Sequence, residues 1–119
     1  MNGDLEQAFS PVLAAPAGLP EVEQSTSYGT PALKVRGKLI ARLKDADTLV
    51  LRCPMEEKEV LLDAEPAIFF ETPHYHGWSA ILIRLAAIDP DHLRHHVARA
   101  WRMQAPCKLA AAFEAAALP

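Results

Sequence analysis

The chain has 119 residues and a mass of 13.0 kDa, enough for one domain with little room for a second. Half of the residues are apolar and 23% are charged, a composition typical of globular rather than disordered proteins. Twelve Lys and Arg against fifteen Asp and Glu give a net charge of −3, which excludes a uniformly basic, histone-like binder but permits a locally basic surface.

No segment is predicted to cross a membrane or to direct secretion. The longest apolar stretches, residues 80–88 and 109–118, are short and each contains a charged side chain. The first six residues are acidic and lack the basic and apolar regions of a signal peptide. The two cysteines form neither a CxxC pair nor a disulfide framework, which suits a reducing compartment. We therefore expect a bacterial-type cytoplasmic protein without a membrane partner.

The first predicted element is a helix. Apolar residues at helical spacing predict that it begins at about Asp4. Pro11 lies inside this pattern and removes a backbone donor, so we expect a local disturbance there. The helix is predicted to end at residues 18–20, where glycine and proline occur together.

A β-hairpin is predicted next. From Pro31 to residue 44 the apolar residues are almost all odd-numbered and the basic residues even-numbered, which predicts two strands with a reversal near Gly37. If the odd-numbered residues of both strands lie on the same face, the residue numbers of each cross-strand pair must add up to an even number. A three-residue loop at residues 36–38 meets this condition, and it is therefore favoured over a two-residue turn. A further turn leads into a third strand over residues 48–52.

The C-terminal half is predicted to contain three helices and two strands. Proline is favoured in the first turn of a helix, and an aspartate before it can accept hydrogen bonds from the free backbone N–H groups. The predicted elements are a helix between Pro54 and Pro66, strands over residues 68–71 and 78–85, a helix from Asp89 to about Gln104, and a last helix from Pro106. The expected fold is one α+β domain over residues 1–119, a two-layer sandwich with helices on one face of an antiparallel sheet.

The hairpin is the first candidate for a binding surface. Residues 34–52 contain six basic and two acidic side chains, a local charge of +4, so the rest of the chain carries −7. Basic side chains spaced two apart on one face of a β-ribbon can lie against the phosphates of duplex DNA. A solvated sheet face gives the same pattern. The candidate nucleic-acid-binding residues are Lys34, Arg36, Lys38, Arg42 and Lys44.

The helix after Asp89 presents a second positive surface. Its outward-facing basic side chains are predicted to be His92, His95, Arg99 and Arg102, a pattern that an ordinary amphipathic helix also shows. His92 and His96 have a spacing that can chelate a metal ion. The glutamate of an HExxH motif is missing, however, and Arg94 would repel a cation. No metal site and no cofactor are predicted.

The most distinctive short segment is the loop at residues 72–78. It combines a proline, two histidines, a tyrosine, a glycine and a tryptophan, whose rings can stack on a base or line a pocket. The alternative is that they close one edge of the core. A ligand pocket here would be lined by Tyr28, His74, Tyr75 and Trp78. No nucleophile and base can be paired and glycine-rich phosphate motifs are missing, so no catalytic residue is assigned and the protein is expected not to be an enzyme.

An ordered set of short motifs resembles the MmcQ/YjbR family of small bacterial proteins. The motifs are SYGTPALKV at residues 27–35, GK at 37–38, TPHY at 72–75, GW at 77–78, DP at 89–90, AWR at 100–102 and AP at 105–106. The resemblance covers about residues 19–112. Three positions depart from the family pattern: Leu33 replaces a common aromatic residue, Arg36 a small one, and Cys107 a basic one.

The resemblance implies a CyaY-like, or frataxin-like, α+β fold and the family's label of DNA-binding protein, which derives from a likeness to a double-wing DNA-binding motif. Such a label rests on analogy of fold. It places Lys34 and Lys38 on the first hairpin, and His74 and Tyr75 in the later connection. Iron handling is not implied, because the first 25 residues contain only four acidic side chains.

We therefore expect a DNA-binding protein without enzymatic activity, in which the five basic hairpin residues contact the phosphates of duplex DNA. One alternative is a small-molecule or peptide-binding domain with the aromatic pocket described above. Another is a protein-interaction module, which requires an exposed apolar patch. Trp78, Ala80 and Leu82 are the first candidates for that patch.

Overall fold

A computed structural model describes residues 3–117 of the chain. Met1, Asn2, Leu118 (the last residue of the 109–118 apolar stretch) and Pro119 lie outside the described part. The helices are α1 (Gly3–Ala14), α2 (Met55–Ala64), α3 (Pro90–Gln104) and α4 (Cys107–Ala117). The strands are β1 (Val22–Ser27), β2 (Thr30–Val35), β3 (Lys38–Asp45), β4 (Thr48–Arg52), β5 (Phe69–Phe70) and β6 (Ala80–Arg84). Short 3-10 helices lie at Pro73–Tyr75 and Leu85–Ala87.

The strands form one antiparallel sheet in the order β1-β2-β3-β4-β6-β5. The predicted α+β class is therefore confirmed. Strands β1 to β4 follow one another as a meander, whereas β6 pairs with β4 only after α2 and β5 have intervened. Strand β1 was not predicted from the sequence, because Val-Glu-Gln-Ser-Thr-Ser has no alternation of apolar and polar residues. It lies at the edge of the sheet, where half-exposed polar residues are tolerated.

One face of the sheet carries the main hydrophobic core. Helices α1 and α3 pack against β2, β3 and β4, and α2 packs against β5 and β6. Trp101 of α3 is buried, donates its indole N–H to the carbonyl of Pro20 at 3.0 Å, and contacts Phe113 of α4 edge to face. Burying a tryptophan removes a large apolar area from water, so this side chain ties the chain before β1 and the last helix to the core.

The predicted boundaries of α3 agree with the structure. Asp89 precedes the helix, and its carboxylate accepts the backbone N–H of His92 at 2.9 Å. Pro90 follows at the first helical position, where its missing N–H removes no hydrogen bond. Leu93, Val97 and Trp101 face the core as the spacing predicts.

The reversal between β2 and β3 differs from the prediction. Val35 pairs with Lys38, so the turn contains two residues, Arg36 and Gly37, both with positive φ (47° and 80°). The predicted three-residue loop is therefore wrong. The pairing changes register between Leu33 and Lys34, where β3 contributes an extra residue, and this β-bulge restores the even parity that the alternation requires. The irregularity that the alternation requires is therefore the bulge in β3, and the loop is an ordinary two-residue turn.

Candidate functional site

The face of the sheet opposite α1 and α3 is called the second face. One row of paired residues crosses five strands there, namely Ala32, Arg42, Val50, Leu82 and Phe70. Arg52 pairs with Ala80 on one side of this row, and Arg84 pairs with Thr48 on the other. Three strands, β3, β4 and β6, thus each place one arginine on this face.

The five basic hairpin residues do not share one face as expected. Lys34 and Arg42 belong to the second face by register, but Lys38 pairs with Val35, whose side chain lies in the main core on the helix side. Arg36 occupies the turn, and Lys44 lies in a second bulge between β3 and β4. The turn and the two bulges explain why the five side chains do not share a face. Each extra residue moves the side chains that follow it to the opposite face of the sheet.

Arg42 occupies the middle of the second face. Its guanidinium donates to the hydroxyl of Tyr75 at 2.9 Å and to the carbonyl of Leu43 at 3.1 Å. It also lies 5.1 Å from the centre of the Tyr28 ring, a cation–π distance. The side chain is therefore held in one position while its charge remains unneutralised by any carboxylate among the described side chains.

The other two arginines of this face also lie over aromatic rings. Arg52 is 5.2 Å from the ring centre of Trp78 and donates to the carbonyl and hydroxyl of Ser79. Arg84 is 4.1 Å from the ring centre of Phe70 and donates to the carbonyl of Pro66 at 3.0 Å. Guanidinium groups stack well on aromatic rings because both are planar and the guanidinium is weakly hydrated.

The loop at residues 72–78 covers the centre of the second face. Tyr75 is buried and packs with Val50, Ala80 and Leu82 in a small apolar cluster. Its ring stacks on Trp78 at 5.6 Å and meets His74 edge to face at 5.0 Å. Ala80 and Leu82 are fully buried beneath this loop, so the expected apolar surface patch at these positions is wrong; only Trp78 of the three is exposed.

Lys58 of α2 holds this loop in place. It is 1% exposed, and its ammonium group donates to the carbonyls of Tyr75 and Trp78, each at 2.8 Å, and forms an ion pair with Glu71 at 2.8 Å. Its three N–H groups thus have three partners, which is the condition for burying a lysine. Hydrogen bonds from His76 and Lys58 hold the pKa of the Glu71 carboxyl below its usual value.

The four residues of the predicted ligand pocket form one continuous set of contacts. Tyr28 meets Arg42, Arg42 meets Tyr75, and Tyr75 meets both His74 and Trp78. They form a projecting surface, since Tyr28 is 90% exposed and Trp78 43%. Two cavities lie elsewhere. One, of about 390 Å³, lies between α1 and the β1–β2 hairpin, and another, of about 370 Å³, lies between α2 and α3.

The positive surface predicted on α3 lies on the other side of the sheet. Arg99 forms an ion pair with Glu57, Arg102 with Glu114, and His92 lies 3.5 Å from Glu65. Acidic partners from α2, α4 and the chain after α2 therefore offset the basic residues of this helix. The sheet separates this surface from the arginines of the second face.

His96 of α3 is buried. Its ring packs edge to face on Phe69 at 5.0 Å and stacks on His92 at 4.8 Å. Burial, together with repulsion from His92 and His95, lowers the pKa of His96 to about 4.

Within residues 3–117, no group of three or more His, Cys, Asp or Glu side chains is arranged to hold a metal ion. Burial also raises the pKa of the Cys53 thiol.

Comparison with known proteins decides the family. Residues 17–103 match the YjbR family, which is most of the chain and includes β1 to β6 and nearly all of α3. The chain belongs to the YjbR family. No solved structure matches it. Within the described part of this YjbR chain, no helix combines the length and apolar character needed to cross a membrane.

Three mycobacterial proteins are similar to this YjbR chain over part of its length. They are the uncharacterized proteins Mb2600 of Mycobacterium bovis and MT2646 and Rv2570 of Mycobacterium tuberculosis. Each is 45% identical over 56 residues, which cover 47% of this chain and 43% of the relative. The match therefore spans less than half of these relatives.

Three residues of this surface, Arg52, Arg84 and Lys58, were not among the candidate site residues chosen from the sequence. Arg84 lies two and four residues after Leu82 and Ala80 on the last strand, so its position on the same face could have been predicted from the alternation of side chains. Lys58 gave no such signal, because a lysine on a short helix is usually exposed. Its burial follows from contacts with residues 13 to 20 positions away, which local patterns do not reveal.

Proposed function

We propose that this YjbR protein binds DNA without catalysing a reaction, using the second face and the basic hairpin of β2 and β3 that borders it. The observation that supports this most strongly is the set of three arginines, Arg42, Arg52 and Arg84, on adjacent strands, each over an aromatic ring. Guanidinium groups held in place by stacking can contact phosphates with little further loss of side-chain entropy. The role is proposed to be cytoplasmic.

The lysines of the hairpin region supply the rest of the positive charge. Lys34, Lys38 and Lys44 have no ion-pair partner among the side chains of residues 5–116. Arg36 differs, because its guanidinium forms a bidentate pair with Glu21 at 2.7 and 2.9 Å. Of the five predicted residues, Arg36 is therefore expected to contribute least to phosphate binding.

Titration against duplex DNA at two salt concentrations tests the proposal. With about four phosphate contacts, affinity should fall roughly 100-fold between about 50 and 200 mM salt, because binding releases condensed counterions. A triple variant, Lys34→Glu, Lys38→Glu and Lys44→Glu, should lose most of the affinity and most of the salt dependence.

A control variant with the same change in net charge separates local contacts from overall charge. Arg94→Glu, Arg102→Glu and Lys108→Glu alter α3 and α4 and leave the second face unchanged. This control should keep a salt dependence close to that of the unmodified protein. DNA binding that is absent, independent of salt, or reduced equally by both triple variants contradicts the proposal.

A further inference from the structure

Tyr28 occupies a backbone conformation that its own side chain disfavours. It lies with Gly29 in the two-residue turn between β1 and β2, where Ser27 pairs with Thr30. Its φ is +52°, in the left-handed region where a bulky L-residue is strained and Asn or Gly is preferred. The ring is 90% exposed, so burial of apolar surface does not repay this strain.

In the matching turn between β2 and β3, an ion pair offsets the same kind of strain. Arg36 has a φ of +47° in the equivalent position, and its bidentate pair with Glu21 explains why an arginine stands there. Tyr28 has a different contact, the cation–π approach of Arg42 on the second face. The structure thus holds an exposed aromatic ring above an arginine at the edge of the candidate surface.

A second exposed ring lies at the other end of the same contacts. Trp78 is 43% exposed, stacks on the buried Tyr75, and lies beside Arg52. Lys58 fixes the backbone of both aromatic residues through their carbonyls. From Tyr28 the contacts run through the Arg42 guanidinium to Tyr75 and then to Trp78, and among the described side chains Arg42 forms no ion pair with a carboxylate.

We propose that the second face binds unpaired nucleotides, with Tyr28 and Trp78 stacking on bases and Arg42 and Arg52 contacting the phosphates between them. This inference rests on the proposed function and names the form of nucleic acid. Bases in a duplex present only their edges, whereas a single strand offers the flat faces on which exposed rings stack.

The charges around these rings fit a polyanion that runs across the strands. Lys34 borders the surface on β2, where it pairs in register with Glu23 of the edge strand. Lys44 lies toward the opposite end, in the bulge between β3 and β4. The two lysines therefore lie toward opposite ends of the hairpin that carries Arg42, as basic groups do along surfaces that track a single strand.

Fluorescence titration with three probes of the same length tests the inference. The probes are oligo-dT, oligo-rU and a mixed-sequence duplex DNA, each of about 15 nucleotides or base pairs. The informative variant is Tyr28→Asn, because Asn followed by glycine is the preferred sequence for this type of turn. The variant removes the ring while the hairpin keeps or gains stability, so its melting temperature should be equal or higher.

The expected result is tighter binding of at least one single strand than of the duplex, and the dT and rU probes distinguish DNA from RNA as its source. Tyr28→Asn should weaken single-strand binding about fivefold or more, with an unchanged salt slope and unchanged duplex affinity. Trp78→Leu should act in the same direction. Val60→Ser, which removes an exposed apolar side chain on α2, is the control and should have no effect.

Two outcomes would contradict the inference, and only the second of them would also contradict the proposed function. If duplex DNA binds at least as tightly as both single strands, or if Tyr28→Asn binds them like the unmodified protein, the inference fails while the proposed DNA binding remains. If none of the three probes binds at low salt, the proposed function fails, and the inference fails with it.

Discussion

The two faces of the sheet use the same strands for different purposes. On the helix side, residues of all four helices pack in or against a continuous apolar core, and the basic residues of α3 are offset by Glu57, Glu65 and Glu114. On the second face only four buried side chains form an apolar cluster, and a single loop covers them. There the arginines pair with aromatic rings, hydroxyls and carbonyls, which leaves their positive charge in place.

Because its arginines are not paired with carboxylates among the described side chains, the second face can be positive although the chain has a net charge of −3. Ion pairs cancel charge, whereas cation–π contacts and hydrogen bonds to neutral acceptors position a cation without cancelling it. We therefore expect the helix side to contribute most of the stability and the second face to concentrate positive charge.

The largest expected effect concerns the lysine that supports the second face. Lys58→Met should lower the free energy of unfolding by about 3–5 kcal/mol, because it removes three charge-assisted hydrogen bonds of a buried ammonium group, to the carbonyls of Tyr75 and Trp78 and to the Glu71 carboxylate. Urea unfolding measures the loss. Lys108→Met, at an exposed position on α4, should change stability by no more than about 0.5 kcal/mol. A similar small effect for Lys58→Met would mean that the loop is held by other contacts.

Two neighbouring residues of β6 compare the two cores directly. Ile83 and Leu82 are both fully buried, one on the helix side and one on the second face. We expect Ile83→Ala to cost about 3–4 kcal/mol and Leu82→Ala about 2 kcal/mol, since a loop can close over a small cavity more easily than packed helices can. Equilibrium unfolding of both variants decides this, and the reverse order of stability would contradict the proposed division.

The smallest effect at mildly acidic pH is a pH dependence of stability that arises from His96 on the helix side. With a folded pKa of about 4 against 6.5 in the unfolded chain, His96 favours unfolding as the pH falls from about 6.5 to about 4, because only the unfolded chain then binds the proton. The full contribution is about 3 kcal/mol at pH 4 and about 1 kcal/mol near pH 5.5.

The variant His96→Leu isolates this contribution from the other titrating groups. It should lose less stability than the unmodified protein between pH 7 and 4, as measured by urea unfolding at each pH. His74→Leu, which alters an exposed histidine on the second face, is the matched control and should keep the original pH dependence. An equal pH dependence for the His96→Leu variant and the unmodified protein would exclude the buried neutral histidine as its source.

Much of the fold was predictable because local signals agreed with one another. The α3 boundaries followed from Asp89, Pro90 and the apolar spacing, and β4 was predicted with its correct ends. Strand β1 was not, since its pairing with β2 rather than its own composition makes it a strand. The β2–β3 turn was wrong because periodicity reports which residues share a face but does not locate the bulge that makes this possible.

The candidate site was predicted in its components and not in its arrangement. The basic hairpin and the aromatic loop were both identified, but as rival explanations rather than as parts of one surface. Arg42 joins them through contacts with Tyr28 and Tyr75, and the latter is 33 residues away in the sequence. Contacts of this range depend on the order of strands in the sheet, which a single sequence does not specify.

The order of strands also has a consequence for how the molecule assembles. Strands β1 to β4 pair with their neighbours in sequence through short turns, so their contacts close small loops at low entropic cost. Strand β6 and the loop that precedes it join later along the chain, after α2 and β5. We expect the meander bearing Arg42 to form early in folding and the aromatic cover to dock on it last.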